Sequence, residues 1–124
     1  MAAKGTDLKV IWIIEAIGPL ISEFKGDKAI TATSKALRLL VEMGLNANPE
    51  AQYGRELKAS GYAIENMDRK NVRITKELDT KVRSYCGRQD LTIYQGYFDL
   101  ICYGLLAHGV ADGTGIVIPP IAAS

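Results

Sequence analysis

The sequence predicts an all-α fold: a small bundle of four to five helices with an extended helical arm and an extended, apolar C-terminal tail. Three observations predict it. Apolar residues recur at helical spacing in successive windows, and glycine and proline fall mainly at the ends of those windows. A basic segment near the middle also sorts its side chains onto opposite faces when wound at about 100° per residue. The chain has 124 residues, the length of one domain, with 1–30 as an N-terminal arm and 113–124 as the tail. At 48% hydrophobic and 23% charged residues it has the makeup of a globular protein, which excludes wholesale disorder. Its formal net charge of +1 is weak for a nucleic-acid binder, so any basic surface must come from arrangement and not from totals.

Taken in order, residues 7–25 combine Asp7 with Val10, Ile11, Ile14 and Ile17. This suits a buried helix, although the unbroken VIWII reads equally as a strand. Gly18-Pro19 interrupts that run, and Pro19 suits the first position of a second short helix. The run falls short of the roughly 20 apolar residues of a membrane span and lacks the layout of a secretory signal, which predicts a soluble, non-secreted product. A helix over 33–43 follows from Ala36, Leu37, Leu40 and Val41, with Thr31 or Thr33 as its cap and Gly44 as its left-handed end. In LNANPEAQYGRELKASGY, Asn48 caps, Pro49 takes the first helical position and Gly61 ends the next helix. The basic helix covers 64–86 and stops at Gly87. The last helix covers 91–107 on Leu91, Tyr94, Phe98, Ile101, Cys102 and Leu105. GTGIVIPPIAAS is extended, because paired prolines cannot continue a helix. No internal repeat is apparent.

The basic segment carries the functional reading. Met67, Ile74, Leu78, Val82 and Tyr85 fall in one arc of about 80°, the core face. Arg69, Arg73, Lys76 and Arg83 fall opposite, while Lys70, Lys81 and Arg88 form a second row along one edge of the core face. Between Arg69 and Arg88 stand seven bases and two acids. Solvent cover would be served as well by mixed Lys and Glu, whereas guanidinium grips phosphate bidentately. The row therefore points to phosphate contacts along a nucleic acid, without sequence readout, since Asn71 and Gln89 are the only local groups suited to base edges.

Catalytic constellations are absent from the sequence. His108 lies at a helix end beside Gly109 and has no nucleophile near it in the chain. Cys86 and Cys102 read as buried free thiols, and no spacing marks a metal site, so neither cofactor nor metal is expected. Tyr94 and Phe98 share the apolar face of the last helix, which leaves Tyr97 as the aromatic free to stack on a base.

IYQGYFDLICYGLLAHG at 93–109, with NANPE at 46–50, resembles the coat proteins of filamentous and rod-shaped archaeal double-stranded DNA viruses. The resemblance is short, five contiguous residues and a pattern. It implies a subunit that pairs with itself or with a paralogous coat chain, wraps duplex DNA and is found in the virion after assembly in the host cytoplasm. On that reading Arg69, Lys70, Arg73, Lys76, Lys81, Arg83 and Arg88 hold phosphates, and Ile116, Val117, Ile118 and Ile121 bind a neighbouring subunit. The expected function is thus structural and non-enzymatic: self-assembly into a helical filament that coats nucleic acid. Two alternatives stand beside it. One is a helix-turn-helix regulator using 33–43 and 50–60, although LNANPE exceeds the usual 3–4-residue turn. The other is a helical partner-binding module without nucleic acid.

Overall fold

The computed structural model describes residues 6–47, 49–109 and 116–121. It corrects the all-α expectation: five helices are joined by a two-stranded antiparallel sheet, so the fold is mixed α and β. Strand β1 is Thr6–Ile13, and after a 3₁₀ turn come α1, Gly18–Asp27, and α2, Thr33–Asn46. Helix α3 is Tyr53–Ala59; strand β2, Asp68–Thr75, runs directly into α4, Lys76–Gln89, and α5 is Ile93–His108.

The expected helix over 64–86 is therefore a 3₁₀ turn at Ile64–Asn66 followed by two elements, β2 and α4. In β2, Val72 and Ile74 are buried while Arg69, Asn71 and Arg73 are exposed, which is the two-residue period of a strand packed on one face. Thr75 then stands as a cap. Its Oγ1 accepts the Leu78 N–H at 3.1 Å, and Glu77 and Asp79 fill the first turn, where carboxylates suit the helix dipole. A capping residue in the middle of the predicted helix marks the true boundary. Helix α4 then runs past Gly87 and ends at Asp90, whose φ of 58° is left-handed.

Register and packing show an internal repeat that the sequence reading missed. Each half of the molecule is a strand followed by two helices: β1, α1 and α2, then β2, α4 and α5. The strands pair antiparallel with Val10 opposite Asn71 near the centre, and the two second helices, α2 and α5, cross as the main helix pair of the core. At that crossing, a Cβ on Gly44 would lie 2.1 Å from the Leu100 carbonyl oxygen, and one on Gly104 would lie 2.2 Å from the Leu40 carbonyl oxygen. Leu40 and Gly44 thus relate to Leu100 and Gly104 by an approximate two-fold axis. The surrounding residues agree: LVEMGL at 40–45 matches LICYGL at 100–105.

Other expectations shift with this frame. Gly44 does not end α2; it lies inside the helix, buried at the crossing. The N-terminal segment is no separate arm, since Ile11, Ile13, Ile14, Ile17, Ile21 and Phe24 are all core residues. Asn48, the expected cap, lies outside the described residues, and α3 starts at Tyr53, later than Pro49 implied. Residues 116–121 form neither helix nor strand, while GTG at 113–115 lies outside the described residues.

Candidate nucleic-acid interface

One face of the ribbon packs on α2 and α5, and the other faces outward. Directly opposed residues of an antiparallel pair share a face, so the register assigns them. By alternation the inner set holds the pairs Asp7 with Ile74, Lys9 with Val72, Ile11 with Lys70 and Ile13 with Asp68; the four apolar residues are buried, while Asp7 and Asp68 are exposed at the two ends of the ribbon. Outward lie Leu8 with Arg73, Val10 with Asn71, and Trp12 with Arg69. Both strand carboxylates, Asp7 and Asp68, therefore belong to the inner set, and the outer face of the paired strands has none. Arg69, Asn71 and Arg73 are exposed, and neither arginine makes an ion pair among the described residues. Beside them Leu8 is 57% exposed and Val10 and Trp12 are half-buried.

The single basic row of the sequence reading does not form. Arg69 and Arg73 share the outer ribbon face, but Lys70 turns to the inner side, where it lines a hollow with Ile13, Lys25 and Thr33. Lys76 is the exposed first residue of α4. Lys81 and Arg88 come together with Thr80 and Ser84 along a cleft closed by Leu45 and Asn46 of α2. Arg83 is committed elsewhere: its Nε donates to Asp79 Oδ2 at 2.8 Å. Asp79 is also 3.6 Å from Lys9 Nζ, and its Oδ1 accepts the Tyr97 hydroxyl at 2.7 Å. Burial pushes the Asp79 carboxyl up, but the bonds from Arg83 and Tyr97 and the Lys9 charge outweigh it, so its pKa lies below the usual value. Tyr97, expected to be free, is thus buried, and its pKa is raised first by burial and then by that hydrogen bond.

The IYQGYFD stretch is consumed by internal contacts. Gln95 Oε1 accepts the Thr92 N–H at 3.0 Å, in a capping box at the start of α5. A Cβ on Gly96 would lie 2.1 Å from Cys86 Sγ, so α4 and α5 meet there without a side chain between them. Asp99, fully buried, accepts the backbone N–H groups of Gln52 at 3.0 Å and Gly54 at 2.9 Å on Oδ1, and the Tyr85 hydroxyl on Oδ2. It supplies from α5 the N-terminal cap that α3 lacks locally. Tyr85 is held protonated by burial and by this acceptor.

His108 closes α5 as expected, with Nε2 2.9 Å from Asp27 Oδ2 and its ring edge-on to Phe24. Cys86 and Cys102 are buried and unpaired, and burial pushes both thiols up. Among the described residues no group of three or more His, Cys, Asp or Glu could hold a metal, and no helix is long and apolar enough to cross a membrane. Of the residues read as a subunit interface, Ile116 and Ile118 are buried in their own core. Ile121 donates its N–H to the Ser60 carbonyl at 2.9 Å, and Val117, 77% exposed, is the one left facing out. The helix-turn-helix pair is not formed either, since α2 is packed along α5 and α3 is a seven-residue helix docked by Asp99.

No protein-family model matches the chain, and no curated protein or solved structure matches it. The likeness to viral coat proteins rests on IYQGY and NANPE alone, without the agreement of an all-α fold.

Proposed function

We propose that this chain is a non-enzymatic DNA-binding protein that lays the outer face of its β1–β2 ribbon in the major groove of a duplex. The observation that carries the reading is the segregation of charge across the ribbon. Both strand carboxylates fall in the inner set, and two arginines that make no ion pair among the described residues flank Asn71 on the outer one. A two-stranded ribbon, with strands about 4.8 Å apart, fits a major groove about 12 Å wide. Ribbon readers of DNA use strands in this way. Arg69 and Arg73 stand four residues apart on one strand, about 13 Å by strand geometry, so they reach separate phosphates or base edges. The deep, narrow major groove of RNA duplexes does not admit such a ribbon. The tail offers no polymerising contact through Ile116 and Ile118, which are buried within their own subunit.

The test is a salt series. Binding of the full chain to duplex DNA, followed by fluorescence anisotropy, should weaken with salt, with a log–log slope of about −0.9 for each phosphate neutralised. Arg69→Ala and Arg73→Ala should each weaken binding, and each should flatten the slope by about 0.9 where its guanidinium neutralises a phosphate. Arg83→Ala should leave binding nearly unchanged, because that side chain is held by Asp79. Equal affinity of the wild type and the Arg69→Ala/Arg73→Ala double variant at every salt concentration would reject the ribbon as the contact surface.

A further inference from the structure

The two strands of the ribbon occupy equivalent places about the internal two-fold, yet their outer faces are chemically unlike. With the two-fold placed through Val10–Asn71, one of the two middle pairs of the ladder, Leu8 is the counterpart of Arg69, Val10 of Asn71 and Trp12 of Arg73. The β2 side offers hydrogen-bonding groups: guanidinium suited to guanine O6 and N7, and a carboxamide suited to adenine N6 and N7. On the β1 side Leu8 and Val10 offer only hydrocarbon, with the indole N–H of Trp12 beside them. In the major groove a single base presents hydrocarbon of its own, thymine through its C5-methyl group.

From this asymmetry we infer that the ribbon reads a site without dyad symmetry: β2 hydrogen-bonds purine edges in one half, and Leu8 and Val10 of β1 cover thymine methyl groups in the other. The inference rests on the DNA-binding reading above. A palindromic site would present the same base edges to both strands, and one of the two would meet them with the wrong chemistry. Leu8, 57% exposed beside the half-buried Val10, is free to meet a methyl group in the adjoining groove. Continuity with the arginine face fixes the occupant, since any groove that accepts Arg69 and Arg73 is also brought against Trp12 and Leu8, their cross-strand neighbours, and against Val10 between them.

The experiment selects duplexes from a random pool with the full chain, then replaces thymine by uracil in the selected sequence. That substitution removes only the methyl group and keeps the pairing edge. The expected motif lacks a dyad, and each contacted thymine that loses its methyl should lower affinity about fourfold. Leu8→Ala, at a surface position where folding is insensitive, should bind the thymine and uracil duplexes more nearly alike. Asn71→Ala should relax base preference in the purine half while leaving the uracil effect in place. A palindromic motif, an unenriched pool that is nonetheless bound, or wild-type affinity indifferent to uracil would each overturn the asymmetric reading and leave the ribbon contact standing. Failure of the wild type to bind the pool at low salt would overturn both.

Discussion

The two strand–helix–helix halves of this molecule are alike where they touch each other and unlike where they face outward. At the crossing of α2 and α5 the same three-part arrangement recurs, Leu40, Val41 and Gly44 against Leu100, Ile101 and Gly104. On the outer ribbon Leu8, Val10 and Trp12 stand where the second half has Arg69, Asn71 and Arg73. Close packing punishes any change at a backbone contact, whereas a solvent-facing strand position tolerates almost any side chain. The core thus records the two-fold, and the surface records what each half does.

The comparison breaks most sharply at one core position. Leu39 is half-buried apolar cover in the first half, and its counterpart Asp99 is fully buried and holds the start of α3, an element the first half lacks. Making the halves alike with Asp99→Leu leaves the Gln52 and Gly54 N–H groups and the Tyr85 hydroxyl without their acceptor. The Gly54 N–H and the Tyr85 hydroxyl are buried, and each costs about 1–3 kcal/mol when unpaired, so the loss should reach at least about 2 kcal/mol. This is a large share of the roughly 5–15 kcal/mol that typically holds a domain. Asp99→Asn keeps an acceptor oxygen for the two amides and should lose much less. Urea denaturation measures both, and hydrogen exchange at Gly54 should accelerate in the leucine variant. A leucine variant as stable as the wild type would show that α3 is held by packing alone.

Gly44→Ala and Gly104→Ala sharpen the symmetric side. Alanine is the better helix former by about 0.8–1 kcal/mol, but each new methyl would meet a backbone carbonyl that moves only if the helices separate. Overpacking of this kind costs about 1–3 kcal/mol, so both variants should be destabilised by similar amounts. Gly87→Ala is the control: it lies in α4 with nothing within 4 Å, and it should raise stability by up to about 1 kcal/mol. Unequal costs at the two crossing glycines would show that the two-fold is only approximate in packing as well as in sequence.

The helices α2 and α5 were legible because their apolar spacing is long and regular, and the non-helical tail because paired prolines allow little else. The ribbon was not, for physical reasons. VIWII is apolar at every position and carries no period, and DRKNVRIT is short enough for a helical wheel to accommodate its two buried residues by chance. The signal that separates them is VRIT alternation ending at Thr75, with acids at Glu77 and Asp79: a strand that stops at a helix cap. Reading across that cap merged two elements and lined up Arg69, Arg73, Lys76 and Arg83 as one row. The repeat was hidden for a related reason. LVEMGL and LICYGL keep only the positions that touch across the crossing, and which positions touch is known only once the helices are docked. Asn71 is a base-reading candidate on its residue type alone, but its place near the centre of an exposed ribbon depends on pairing with a strand far away in sequence.

The smallest effect tests how the halves are tied together. Asp79 of α4, its side chain 13% exposed, joins β1 through Lys9 to α5 through Tyr97, with Arg83 completing the set. Its pKa is lowered in the fold despite burial. The resulting stabilisation is present above the ordinary carboxyl value of 3.8 and is lost as pH falls through the lower folded value. An exposed i,i+4 pair such as Asp79 with Arg83 contributes about 0.3–0.5 kcal/mol, and the Lys9 contact adds little at its longer distance. Asp79→Asn should therefore be less stable than the wild type at neutral pH by under about 1 kcal/mol. The gap should close in acid, as the wild-type carboxyl takes up its proton. Denaturation midpoints at several pH values would show this. A gap that stays constant below pH 3 would mean that Asp79 joins the two halves by the geometry of its hydrogen bonds and that its charge adds nothing.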